Sequence, residues 1–157
     1  MPIRMASLDD IDTLVEARFA YFAAEGWEVS PAQQERIEAN LCAYYLAHMN
    51  VDFFAAFVEE QGEVASVAFL AVSARPANPS FPTGKVGMIL NVLTYAKHRR
   101  KGYATQAMDA LIGEARNQNL SYIELSASPA GRPLYERLGF VKALKSEHFT
   151  DMKLSLL

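Results

Sequence analysis

The feature that most constrains the fold is a change of hydrophobic pattern between residues 86 and 115. From Val86 to Leu93 almost every residue is apolar, which is typical of a strand buried on both faces. After a basic run that ends at Gly102, apolar residues recur at the three- and four-residue spacing of one buried helical face: Tyr103, Ala104, Ala107, Met108, Leu111, Ile112 and Ala115. The pattern predicts a strand that passes through a basic, glycine-containing turn into a helix.

The turn between these segments has the features of a phosphate-binding site. Backbone N–H groups at the start of a helix are free, and the helix dipole makes that end positive. Gly102 lets the main chain approach a ligand closely, so we predict that N–H groups from Arg100 to Thr105 bind a phosphate. The side chains of Arg99, Arg100 and Lys101 either add positive potential there or form an ordinary solvated charge run.

Two motifs in this chain resemble a known family. Residues 99–104, Arg-Arg-Lys-Gly-Tyr-Ala, fit the pattern Q/R-x-x-G-x-G/A, and Pro-Leu-Tyr-Glu-Arg-Leu-Gly-Phe follows at 133–140. In this order, with a strand before the turn and a helix after it, the pair resembles the GNAT superfamily of acetyl-CoA-dependent N-acetyltransferases. The resemblance implies that residues 99–105, the phosphate turn, bind the pyrophosphate of coenzyme A. Ala104 stands where the family accepts Gly or Ala.

The resemblance also implies how the rest of acetyl-CoA is held. In this family the pantetheine arm pairs with the strand before the phosphate turn, where a bulge splays two parallel strands. That segment is here Val92, Leu93 and Thr94, and an N–H near Leu93 is expected to polarise the thioester carbonyl. Ser128 stands where many relatives have an Asn that binds pantetheine. Tyr135 matches the family's tyrosine near the sulfur, and a phenol is protonated at neutral pH, so it is the predicted proton donor to the departing thiolate.

The whole chain predicts an α/β fold similar to that family's. We expect a central mixed, mostly antiparallel sheet of about seven strands, with a parallel splayed pair and helices on both faces. Helix start signals occur at Ser7 with Asp10, at Ser30-Pro31 with Gln33, and at Pro133. Besides the strand at 86–94, strands are predicted at 3–6, 52–60, 63–73, 121–127, 140–145 and 149–156. Gln61-Gly62 indicates a hairpin, and the proline-rich stretch 75–84 a loop.

Size and composition limit the remaining possibilities. A chain of 157 residues, 51% hydrophobic, suits a single domain, 1–157, with one sizeable core. A net charge of −3 argues against nucleic acid as the main partner. The lone Cys42 excludes an internal disulfide or a cysteine-built metal site, and we expect no metal. No apolar run approaches the roughly 18–20 residues of a membrane span, so the expected location is the cytoplasm, with no membrane partner.

The acceptor side is less distinctive in sequence. In the resembled family the link between the first two helices forms one wall of the acceptor site, so Tyr21, Glu25 and Trp27 are candidate substrate contacts. The alternative is that Trp27 caps an edge of the core and the glutamates are solvated. The strand at 86–94 carries no acidic residue that would serve as general base, and Glu124 on the next predicted strand is the nearest candidate. His98 is expected to contact phosphate or solvent, so we name no base.

The expected activity is direct transfer of acetyl from acetyl-CoA to a primary amine within a ternary complex. A small-molecule or amino-acid-like acceptor is favoured, and a protein N-terminus or lysine stays open, as does a homodimer. A non-catalytic module that binds acyl-CoA as a sensor is the alternative from another functional class.

Overall fold

The computed structural model describes residues 2–144 and 147–157. The chain divides into two compact units, Met1–Ser126 and Ala127–Leu157. The first unit contains a five-stranded sheet in chain order, and its strands are β1 (Ile3–Met5), β2 (Phe53–Glu60), β3 (Glu63–Ala74), β4 (Lys85–Thr94) and β5 (Ile123–Glu124). Neighbouring strands are antiparallel except β4 and β5, which are parallel. The predicted α/β class with a mixed, mostly antiparallel sheet is confirmed.

Within the described residues, three α-helices belong to the first unit and one to the second. They are α1 (Ile11–Ala24), α2 (Pro31–His48), α3 (Tyr103–Asn117) and, in the second unit, α4 (Arg132–Arg137). Both predicted capping boxes form, one from Ser7 with Asp10 and one from Ser30 with Gln33. Each box satisfies backbone N–H groups that a helix start leaves unpaired, and this is why sequence located these starts well. Within the described ranges, no helix combines the length and hydrophobicity that a membrane crossing requires.

The sheet is covered on both faces. Alternate residues of β2 and β3 pack with α1 and α2 in one core cluster, which includes Leu14, Tyr45, Phe53 and Phe69. Because successive strand residues point to opposite faces, Phe54, Ala56 and Leu70 turn to the other side, and all three are buried. Helix α3 packs against β2, β3 and β4 with its own buried residues, Ala107, Met108, Leu111 and Ala115. Burial on both faces explains the unbroken apolar runs in the sequence.

The hairpin between β2 and β3 is the one predicted. Gln61 and Gly62 have φ of 50° and 79°, the two left-handed residues of a primed two-residue turn. The register sets Glu60 opposite Glu63 at the mouth of this turn. Two carboxylates are therefore held side by side at one end of the sheet.

Strand β4 is irregular where the parallel pair separates. Asn91 has φ of 56°, and the register with β3 shifts between Val67 and Phe69, which is the signature of a bulge. The ladder with β5 consists of only two pairs, Gly87 with Ile123 and Met88 with Glu124. In the described part of the chain β4 therefore has a β5 partner only near its start, and its second half is splayed away.

The C-terminal prediction is wrong in part. Within residues 140–144 and 147–157 the structure contains no strand, so the described sheet has five strands rather than about seven. Strands need a neighbour that pairs their backbone groups, and here Val141, Leu144 and Phe149 are instead 80–95% exposed. Residue 145, the last of the strand predicted at 140–145, and residue 146 lie outside the described residues. The strand predicted at 121–127 is also shorter, since β5 has two half-buried residues.

Candidate active site

The phosphate turn has the predicted backbone conformation. A short 3₁₀ helix, Ala96–His98, follows β4, and the chain then turns through Arg100 and Gly102, whose φ values are 65° and 77°. Gly102 is the N-cap of α3, in the left-handed region, and has no capping side chain. An added Cβ at Gly102 would meet nothing within 4 Å, so the space beside it is open. Only glycine occupies this conformation without steric cost.

Free N–H groups converge at this turn. The first hydrogen bond of α3 that returns to the cap runs from Gln106 N to Gly102 O at 3.2 Å. The N–H groups of Tyr103, Ala104 and Thr105 precede it and have no intrahelical acceptor. Together with the helix dipole, these donors are chemically suited to an anion such as a diphosphate.

Basic side chains in and just before the phosphate turn pair with two glutamates of the β2–β3 hairpin. We call this group the hairpin ion cluster: Glu60, Glu63, Lys97, His98 and Lys101. The His98 ring is 7% exposed and lies between the glutamates, with Nδ1 2.5 Å from Glu60 Oε2 and Nε2 3.3 Å from Glu63 Oε2. Lys101 Nζ lies 2.8 Å from Glu60 Oε1, and Lys97 Nζ lies 2.6 Å from Glu63 Oε2. The cluster fastens the phosphate turn to the sheet.

Hydrogen bonds favour the charged form of both carboxylates in this cluster. Hydrogen bonds from Lys101 and then His98 lower the pKa of Glu60 to about 2. Hydrogen bonds from Lys97 and then His98 lower the pKa of Glu63. The reciprocal bond to Glu60 raises the pKa of Lys101. All three groups face solvent, so their pairing adds little to the stability of the fold.

This arrangement corrects one expectation. His98 was expected to contact phosphate or solvent, but its ring is buried and both ring nitrogens face carboxylates. Lys101, a predicted cofactor contact, forms an ion pair with Glu60 at a half-exposed position. Sequence reasoning missed both glutamates because their contact with the turn depends on sheet register. Arg99 donates from Nε to Thr94 O at 3.2 Å.

The main chain of β4 presents alternating groups at the splay. Tyr95 N–H donates to Ala65 O in β3, and Leu93 O accepts from the Ser66 hydroxyl at 3.1 Å. Residues two apart in an antiparallel strand point their N–H and C=O groups the same way. The main-chain groups of Val92 and Thr94 therefore point to the opposite side, where the ladder with β5 has ended.

The predicted acceptor contacts come together at the end of α1. The Tyr21 ring meets Trp27 edge-on with centroids 6.0 Å apart, and Phe22 stacks on Trp27 at 5.6 Å. Trp27 is 56% exposed, so it contributes an open apolar wall as well as packing on Phe22. Glu25 is the exposed C-cap residue of α1. Burial of the Tyr21 phenol raises the pKa of Tyr21, and the charge of Glu25 raises it further.

Two further residues of this region were missed in sequence. The Asn91 side chain is buried and donates to Ala17 O at 3.2 Å, which ties the bulge of β4 to α1. Arg18 Nη1 lies 3.4 Å from Asn91 Oδ1, and its guanidinium lies over the Phe22 ring, 4.9 Å from the centroid. An Asn inside an apolar strand is a detectable signal for a left-handed bulge. Nothing in the local sequence distinguishes Arg18.

The second unit contains the other two predicted residues. The Ser128 hydroxyl accepts from Gly131 N–H at 3.1 Å, and Ser128 O accepts from Arg132 N–H, so Ser128 organises the start of α4. The Tyr135 ring packs edge-on with Phe140, with centroids 6.1 Å apart. A Cβ on Gly131 would come within 3.1 Å of Tyr135 Cε2, so the absence of a side chain there makes room for the ring.

The candidate base Glu124 lies on β5 at the last paired position, opposite Met88. It is half-exposed, and Arg75 Nη2 lies 3.7 Å from its Oε1. A carboxylate at the splay is within the right part of the sheet, but its side chain is paired with Arg75. We therefore assign no base.

Comparisons with known proteins agree with this geometry. The profile of the Acetyltransferase (GNAT) family matches residues 11–140. A crystal structure of a predicted acetyltransferase with acetyl-CoA from Clostridium acetobutylicum is similar over 96% of this chain and 94% of that one, with 29% identity and a TM-score of 0.81. A GCN5-related N-acetyltransferase from Ralstonia eutropha JMP134 is similar over 98% of this chain and 97% of that one, with 27% identity and a TM-score of 0.79.

A more distant structure shares the fold alone. Glucosamine-6-phosphate N-acetyltransferase from Arabidopsis thaliana aligns over 95% of this chain and 97% of its own, with 17% identity and a TM-score of 0.63. No curated protein of established function matches the sequence significantly.

Proposed function

Because the chain belongs to the GNAT family of acetyltransferases, we propose that it transfers acetyl from acetyl-CoA directly to a primary amine within a ternary complex. Acyl transfer from acetyl-CoA is the general activity of this family, whereas the amine and the direct mechanism are our proposal. The acceptor is a small-molecule or peptide amine. We also propose a cytoplasmic location, where a lone Cys42 stays reduced.

The observation that carries the proposal is the left-handed Gly102 at the start of α3. It leaves the N–H groups of Tyr103, Ala104 and Thr105 open to a ligand, and the hairpin ion cluster fastens the turn before it. These residues fit the diphosphate of coenzyme A. Main-chain donors lose no side-chain entropy on binding, and a fixed turn is preorganised for the ligand.

The splayed half of β4 is the proposed site of the thioester. Val92 and Thr94 turn their main-chain groups away from β3, so Val92 and the Thr94 N–H are available to pair with the amides of an extended arm, while Thr94 O accepts from Arg99 Nε. We assign the N–H that polarises the thioester carbonyl to these two residues, since Leu93 faces β3. A bound acetyl-CoA supplies an activated thioester, and the chain's task is to hold the amine against it.

Tyr135 is the proposed proton donor to the leaving thiolate. The assignment rests on the family motif at 133–140 and on a phenol's protonation at neutral pH. Packing against Phe140 and over Gly131 fixes the ring and leaves few rotamers. Ser128, which begins the same helix, is proposed to contact the pantetheine through its hydroxyl hydrogen.

The test is acetyl transfer from acetyl-CoA to a panel of primary amines, measured as release of free thiol and as acetylated product. Tyr135→Phe removes only the hydroxyl, and loss of a general acid lowers kcat by roughly 100-fold or more. Tyr44→Phe is the matched control, because Tyr44 stacks on His48 in α2 and has no role in the proposed reaction. It is expected to keep the wild-type kcat.

The outcomes separate the two functional classes. Transfer that falls in Tyr135→Phe, with coenzyme A affinity unchanged, supports the enzyme. Binding of acetyl-CoA without transfer to any amine refutes it and favours the acyl-CoA sensor.

A further inference from the structure

Arg18 differs from most cations of this molecule in being half-buried without a counter-charge. In the described part of the chain, no Asp or Glu forms an ion pair with it. Its hydrogen-bond partner is the neutral side chain of Asn91, and its guanidinium lies over Phe22. Burial lowers the pKa of Arg18, and the groups that oppose this are the phenols Tyr45 and Tyr21.

An unpaired, partly desolvated cation is energetically unfavourable. Charges taken out of water are normally paired, and leaving one unpaired costs free energy that packing alone does not recover. An anion that enters beside Arg18 gains a charge-assisted partner with the geometry for bidentate bonding, at little further desolvation cost. The five N–H donors of the guanidinium include several that Asn91 does not occupy.

The position of Arg18 connects this anion to the transfer site. Its partner Asn91 is the bulged residue of β4, directly before Val92, whose main chain we assign to the thioester. On the other side, Phe22 stacks on the exposed Trp27. A ligand that contacts Arg18 is therefore next to the splay of β4 and next to an apolar aromatic wall.

We propose that Arg18 binds a carboxylate of the acceptor, so that the substrates are amines that carry a carboxylate and an apolar body, such as apolar amino acids. This inference rests on the proposed acetyltransferase function and names its substrate class. A carboxylate is favoured over a phosphate monoester, because one guanidinium matches one negative charge and a phosphate carries about 1.5 to 2 charges at neutral pH. The aromatic wall of Phe22 and Trp27 suits the apolar body.

The experiment compares amines with and without the carboxylate. The pairs are L-phenylalanine with L-phenylalaninamide, L-leucine with L-leucinamide, and L-methionine with L-methioninamide; O-phosphoethanolamine with ethanolamine forms the phosphate arm. Initial rates of acetylation give kcat/KM for each. Because the amine pKa differs within a pair, the acid-to-amide ratio is compared between wild type and variants, where that difference cancels.

The variants isolate the guanidinium. Arg18→Met keeps an apolar stem over Phe22 and removes the charge. It is expected to lower the acid-to-amide ratio roughly 10- to 100-fold, the range of a charged hydrogen bond, because the acids lose a contact that the amides do not make. Arg18→Lys retains the charge but loses the planar guanidinium that binds a carboxylate through two N–H groups. Its acid-to-amide ratio is expected to lie between those of Arg18→Met and the wild type. Arg36→Gln is the matched control, since Arg36 is exposed on α2, and it keeps the wild-type ratio.

Each result has one meaning. A ratio that falls in Arg18→Met, while coenzyme A affinity stays at the wild-type value, supports the inference. Acetylation of amines with an unchanged ratio, or a preference for O-phosphoethanolamine over every carboxylate, overturns the inference and leaves the acetyltransferase proposal intact. Absence of transfer to any amine in wild type refutes the acetyltransferase proposal itself.

Discussion

Two regions of the first unit surround basic side chains in opposite ways. In the hairpin ion cluster, His98, Lys97 and Lys101 each meet a carboxylate from the β2–β3 hairpin. Beside the bulge of β4, the partners of Arg18 within the described residues are the neutral groups of Asn91 and Phe22. We infer a division of labour between the two regions. Basic groups paired with carboxylates of the chain hold the structure together, whereas Arg18, which has no carboxylate partner in the described residues, is available to a ligand.

The ion pairs of the hairpin ion cluster bear on which groups hold the proposed diphosphate. Lys97 and Lys101 form ion pairs with Glu63 and Glu60. The proposed diphosphate site therefore relies mainly on main-chain N–H groups at the start of α3. Four substitutions test the roles of the two regions, from the largest expected effect to the smallest.

The first change is Gly102→Val in the phosphate turn. A branched side chain at φ of 77° costs about 1–2 kcal/mol of backbone strain, and its methyls enter the open space where the ligand is proposed to bind. We expect the dissociation constant for coenzyme A, measured by calorimetry, to rise about 100-fold.

The control for this change is Gly26→Val. Gly26 has a similar φ of 74° and open space for a Cβ, but it lies at the end of α1. It is expected to reduce stability by a similar amount and to bind coenzyme A normally. Equal loss of affinity in both variants would mean that strain alone, and not the turn, explains the effect.

The second change is Asn91→Ala at the bulge. It removes the hydrogen bond to Ala17 O and places alanine at φ of 56°, so we expect the free energy of unfolding to fall by about 2–3 kcal/mol. Asn119→Ala is the control, because Asn119 has φ of 58° but is exposed, and about 1 kcal/mol is expected there. Denaturant titration measures both, and similar losses at the two sites would argue that the side chain of Asn91 does not tie β4 to α1.

The third change is Glu60→Gln in the hairpin ion cluster. Because the folded pKa of Glu60, about 2, lies below its usual value of 4.5, the carboxylate stabilises the fold above about pH 4.5. That contribution is lost as pH falls toward 2. The raised pKa of Lys101 sets the other limit, since its contribution is present below 10.5 and is lost at higher pH.

At pH 7 we expect Glu60→Gln to lower Tm by about 1–3 °C, an amount typical of solvent-exposed pairs. Thermal unfolding at several pH values should show this difference shrinking below pH 4.5. Glu28→Gln, at an exposed position of the α1–α2 link, is the control and should leave Tm unchanged. A difference that persists undiminished at pH 2 would show that charge pairing is not its source.

The fourth change is Arg18→Met, measured for stability rather than for activity. No ion pair is lost, and the methionine stem keeps contact with Phe22, so the free energy of unfolding should change by less than about 1 kcal/mol. A loss of several kcal/mol in urea titration would mean that Arg18 holds structure, which contradicts the division of labour.

The sequence predicted most elements whose signals are local. Capping boxes at Ser7 and Ser30 located two helices, and Gln61-Gly62 located the hairpin, because each depends on a few neighbouring residues. The strand–turn–helix motif around Gly102 was correct for the same reason.

Features that depend on register were not predictable in this way. The contacts of His98 with Glu60 and Glu63 require the β2–β3 hairpin to lie beside the turn, and Arg18 reaches Asn91 only because α1 crosses the bulge of β4. The two C-terminal strands were predicted from apolar runs alone, and such runs do not specify whether a partner strand is present.

The most direct test of the account is a titration of isotopically labelled protein with coenzyme A, followed by backbone amide resonances. The account predicts that the amides of Gly102, Tyr103, Ala104 and Thr105 shift most, because their N–H groups bind the diphosphate. Saturating coenzyme A that leaves these four amides unchanged, or shifts a different set, would contradict the central claim.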